Sequence, residues 1–186
     1  MVNIKTIAVL LSIFYFSSCS DDATGPDDGN DSGTPGESVV QVSGAIEGEH
    51  SGWALFNESE LPFDTYSWGI AMTDNNIFHV DISASSTGDP VNRPDPGTYE
   101  IDSGTSTFLG IYTDIETGGI GAGADYEYST LYEGTGGELV IEESTENFVS
   151  GSFEFVAAND VDDEGNLIDV VTVSGEFTAM NQDDVD

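Results

Sequence analysis

Asp160, Asp162 and Glu164 alternate in the run DVDDEGNLI, with Gly165 next and Leu167 two residues on. An EF-hand-type loop places oxygen ligands at positions 1, 3 and 5, glycine at 6 and an apolar residue at 8. These three acids are therefore the candidate calcium ligands, and calcium is the one cofactor the residues suggest. Position 12 is Val171 instead of a bidentate glutamate, and the run joins two strand patterns, not two helices. The competing and preferred reading is an acidic hairpin turn in which Gly165 supplies positive φ. Zinc chemistry wants three or four nitrogen or sulfur ligands. The two histidines read as solvated: His50 falls in an expected turn, and His79 alternates away from an apolar face beside Asp81. For hydrolysis, no G-x-S-x-G motif occurs, and with 36 acids any carboxylate pairing is uninformative. The chain reads as non-enzymatic, with a hydrolase using an unrecognised carboxylate site as an alternative. Trp53, Trp68, Tyr126, Tyr128 and Tyr132 are candidates for a sugar-stacking surface, the three tyrosines of DYEYSTLY falling on one strand face. Packing within a sheet is the competing and preferred use of the same residues.

The single cysteine, Cys19, follows MVNIKTIAVLLSIFYFSS. One early charge, an apolar run over 6–16 and small residues at 17 and 18 describe an export signal, and the run is too short to cross a bilayer. One cysteine cannot close an intrachain disulfide. The run FSSC resembles a bacterial lipobox, with Phe16 where leucine is usual. That resemblance implies a diacylglyceryl group on Cys19 and cleavage just before it, so that Cys19 opens the mature chain. Two or three acyl chains anchor stably where one is marginal. Residues 20–37 lack any large apolar side chain and are rich in Gly, Pro, Ser and Asp, the composition of a disordered tether. Its coil reach is roughly 25 Å by the square-root rule. The run CSDD also resembles the acidic export tag of Bacteroidota-type surface lipoproteins, which implies the outer face of the outer membrane; a plain solvated linker explains it equally.

Beyond residue 18 the chain carries 36 acids against Arg93 alone, a formal charge of −35. Nucleic acid needs a basic footprint, and anionic lipid needs the same, so neither is an expected partner. The acidity reads as a solvated surface adapted to salt, which screens self-repulsion; bound divalent cations are the alternative.

Alternation of period two dominates residues 38–180. Tyr66, Trp68, Ile70 and Met72 share a face, as do Phe78, Val80 and Ile82. The same holds for Phe153, Phe155 and Ala157, and for Val171, Val173, Gly175, Phe177 and Ala179. Turn residues at 74–76, 134–137 and 160–166 separate the runs. VSGAI (42–46), VSGSF (149–153) and VSGEF (173–177) recur without a fixed period. Their glycines predict points of curvature or close packing under an aromatic ring.

The half from Gly136 to Asn181 resembles an uncharacterised all-β domain family of Bacteroidota-type surface lipoproteins. The shared motifs are a G-x-L-x-I strand, a V-S-G-x-F-x-F strand, an acidic hairpin and a closing V-x-G-x-F strand, with PGTYEI (96–101) before them. The resemblance implies fold and location and carries over no catalytic residues. The expected organisation is a signal peptide at 1–18, a lipidated linker at 19–37, one antiparallel β-sandwich or barrel-like domain at 38–180 and a frayed acidic tail at 181–186. The expected product is a monomeric, lipid-anchored outer-membrane protein, at the cell surface or the periplasmic face. It binds a surface-protein or envelope partner, or acts as a carbohydrate-binding module.

Overall fold

The computed structural model describes residues 35–102, 108–118 and 126–185. Cys19 and its flanking runs, and most of the glycine-rich stretch 117–125, lie outside them. Each alternating run is a strand because its β-branched and aromatic residues suit a pleated surface with one buried face. In order these are β1 (Gly36–Gly44), β2 (Gly48–Leu61), β3 (Thr65–Asp74), β4 (Phe78–Thr87), β5 (Gly97–Ile101), β6 (Leu109–Asp114), β7 (Glu127–Ser129), β8 (Gly136–Ser144), β9 (Phe148–Val161) and β10 (Leu167–Asn181). A single helical turn, Ile115–Gly118, follows β6.

Eight strands close into an antiparallel barrel in the order β1, β2, β3, β4, β6, β7, β9, β10, with β10 returning to β1. The sandwich-or-barrel expectation thus resolves to a closed barrel. Closure removes the free edges that an open sheet would present. Between β6 and β9 the wall forks. β9 pairs with β8 along Val149–Val156 and touches β7 only through Ala158 and Ser129. β5 pairs with β8 and meets Phe108 through a single bridge at Ile101. Thr130 ties this fork: its Oγ1 accepts from the Gly110 N–H at 3.0 Å and donates to the Asp102 carbonyl at 3.2 Å. The seam at the β7 end is clasped by side chains. Asn159 Nδ2 donates to the Glu127 carbonyl and the Tyr132 hydroxyl to the Asn159 carbonyl.

The inward faces are those the alternation assigns. Trp68, Ile70, Met72, Phe78, Val80, Ile82, Phe153, Phe155, Val171, Val173 and Phe177 all belong to one core, so the barrel is filled by side chains and not hollow. The recurrent glycines serve close packing. A Cβ on Gly175 would meet the Val39 carbonyl oxygen at 2.4 Å and the Phe153 ring at 2.9 Å. One on Gly151 would strike the Val140 carbonyl. Asn181 caps a 3-10 turn over Gln182–Asp184 through its side chain, and its Nδ2 donates to the Glu146 carbonyl.

Candidate functional site

The acidic hairpin between β9 and β10 is organised around Asp162. Its Oδ1 accepts from the backbone N–H groups of Glu164 and Asn166, at 2.9 and 2.8 Å, and its Oδ2 from Asn166 Nδ2 at 2.8 Å. The Asn166 side chain and backbone donors, then those of Glu164 and Gly165, hold this carboxyl below the usual carboxylate range. Gly165 has φ +84, as the turn reading requires. Asp160 Oδ1 accepts from the N–H of the next residue, Val161. The loop is thus built as a self-capped turn. Among the described residues no three His, Cys, Asp or Glu side chains group closely enough to hold a metal ion.

The aromatic candidates divide. Trp68 is fully buried in the core against Phe56 and Phe108, and its indole N–H has no acceptor. Tyr128 points inward and lies 6.1 Å, centroid to centroid, from Tyr112 across the β6–β7 pair. Burial raises the pKa of both phenols. Neither Trp68 nor Tyr128 is available to stack on a sugar: strand alternation points both into the filled barrel, the packing use of these residues. Tyr132 is half-buried and committed to its clasp on β9. Tyr126 is half-buried just before β7. Trp53 alone of the two tryptophans faces outward, since it alternates with the core residues Ala54 and Phe56.

Trp53 lies beside a concavity of the barrel wall. It pairs across the ladder with Glu37, which places their Cβ atoms about 5 Å apart. From Glu37 an open trough of about 650 Å³ runs over the outer faces of β1, β10, β9 and β8, lined by Ser51, Glu142, Ser150, Ser152, Glu176 and Thr178. It continues into a second depression of about 410 Å³ past Gln41 and Ser174. The lining mixes carboxylates and hydroxyls with glycines and the apolar Val39 and Phe177; Trp53 stands next to Glu37 and Gly52, which belong to it. Such a surface can accept hydrogen bonds from polyols and donate them. No sequence motif marks it, because its residues come from strands far apart in the chain; its only signal is the run of small hydroxyl residues at outward positions of β9 and β10.

A second polar group was invisible as a cluster in sequence. His79, Asp81 and Ser83 lie on the outward side of β4. Asp81 is 7% exposed, its Oδ1 accepts from the Ser83 hydroxyl at 2.6 Å, and its Oδ2 is buried without a partner. Burial pushes its carboxyl up to about 6, against the opposing effect of the Ser83 hydrogen bond. His79 is half-buried instead of solvated, and burial pushes it down to about 4. The serine donates to the acid and the acid separates it from the histidine, so the order is wrong for a nucleophile activated by imidazole. His50 also departs from expectation: it lies within β2 and stacks on Phe78 at 5.3 Å. Compared with family models, with curated proteins and with solved structures, the chain matches none.

Proposed function

We propose that this chain is an exported lipoprotein, anchored in the outer membrane through Cys19, whose barrel acts by binding and not by catalysis. The observation that carries the binding half is the filled barrel: with the interior occupied by side chains, ligands meet the protein on its outer wall. The anchoring half rests on the lipobox-like run and the tether composition. A surface-protein or envelope partner is the general reading. A carbohydrate ligand is the specific one favoured by the trough, where hydroxyl and carboxylate groups lie beside Trp53. Sugar rings stack on aromatic faces while their hydroxyls bond to carboxylates and serines. Thermal melts across a broad panel of neutral polysaccharides test it. At least one should raise the melting temperature of the parent protein, and Trp53→Ala or Glu176→Gln should abolish the rise. No shift with any glycan, or a shift unchanged in both variants, contradicts the carbohydrate reading.

A further inference from the structure

The turn between β2 and β3 places Phe63 at its apex with 89% of its surface exposed. The loop is three residues long, Pro62, Phe63 and Asp64, because Leu61 pairs with Thr65; Phe63 and Asp64 both have positive φ, 69° and 53°. Asn, Asp and Gly suit those positions, and a bulky residue there is a genuine outlier. The Gly88 N–H donates to the Asp64 carbonyl at 2.8 Å, so the tip is held against the end of β4. The barrel needs a turn here and gives no reason for an aromatic one. The tip's position supplies a reason. β1 runs antiparallel to β2, with Gly36 opposite Ala54. The chain therefore enters the barrel from the direction of the β2–β3 turn, and Leu61 stands seven residues beyond Ala54, roughly 23 Å at the usual rise. A leash joined at Gly36 to a membrane presents this end of the barrel to the bilayer. Exposed Glu60, Asp64 and Asp89 around the tip oppose an anionic surface and leave a zwitterionic one open.

We propose that Phe63 is a membrane-docking knob, a single ring inserted into the interfacial region of a zwitterionic bilayer, which fixes how the anchored barrel stands. This rests on the anchoring proposed above. The lipidated full chain carrying Phe63→Cys has one free thiol, since Cys19 is blocked by its lipid, and takes an environment-sensitive fluorophore there. Asn76→Cys, in the exposed β3–β4 turn at the other end of β3 from the tip, is the control. Both are reconstituted in phosphatidylcholine vesicles containing brominated lipid. The expected result is a blue shift and loss of emission at position 63 and neither at position 76. A chain that floats with the vesicles while position 63 emits as it does in buffer overturns the knob and leaves the anchor standing. A chain that fails to float contradicts the anchor, and the knob falls with it. A blue shift at 63 that follows protein concentration without vesicles assigns Phe63 to a contact between copies and overturns the bilayer as its occupant.

Discussion

His79 and Asp81 stand two residues apart on one face of β4, and burial moves them in opposite directions. The folded Asp81 keeps its proton to about pH 6, whereas in the unfolded chain it loses it near its ordinary value of 3.8. Asp81 therefore favours folding at low pH and loses that contribution as pH rises from about 4 to 6. The folded His79 stays neutral down to about 4, against an ordinary value of 6.5. Its contribution is complete above 6.5 and is lost as pH falls toward 4. Each shift corresponds to about 3 kcal/mol, so the two offset each other between pH 4 and 6. Urea melts across that range should show the offset broken by single substitutions. Relative to the parent, Asp81→Asn should gain stability as pH rises, and His79→Gln should lose it. Parallel profiles for all three proteins contradict this account. The sequence placed both residues away from the apolar face correctly, but alternation says only which side a residue is on. It does not say how deeply that side is covered, and that depth sets both shifts.

At the scale of the element, strands and turns were legible because their signals are local. Asp74-Asn75-Asn76 and Asp160 to Asn166 carry their turn chemistry in neighbouring side chains, and Trp68 or Phe155 carry their inward direction in the period of two. The fork at Thr130 was not legible: its bonds reach Gly110 and Asp102, 20 and 28 residues away, and a hydroxyl in sequence does not reveal distant partners. The same holds for the trough, whose lining gathers from β1, β2, β8, β9 and β10. Gly175 shows the two levels meeting. The V-S-G-x-F pattern suggested an aromatic lying over the glycine, and Phe153 from the neighbouring strand occupies that place. Gly175→Ala should therefore cost about 1–3 kcal/mol through overpacking, read as a lower urea midpoint with an unchanged slope. A variant as stable as the parent would mean that the Phe153 ring and the Val39 carbonyl yield freely.

At the scale of the molecule, the chain beyond residue 18 carries a formal charge of −35, most of it on the filled barrel. Screening should dominate its response to ions. The Asp162 carboxylate already has its donors within the hairpin, so calcium chloride and sodium chloride at matched ionic strength should raise the melting temperature equally. A larger rise with calcium that Asp160→Ala removes would restore the calcium site. Barrel closure itself was not legible, since the pairings of β10 with β1 and of β7 with β9 leave no mark in local pattern; only the all-β class was. We propose that a lipid on Cys19 holds the barrel at the membrane. Intact-mass spectrometry of the protein purified from membranes tests it most directly. The account predicts a chain beginning at Cys19 and heavier than its residues by a diacylglyceryl group, with an uncleaved, unmodified precursor from Cys19→Ser. A membrane-bound mature product from Cys19→Ser, or a parent chain carrying no lipid mass, would contradict it.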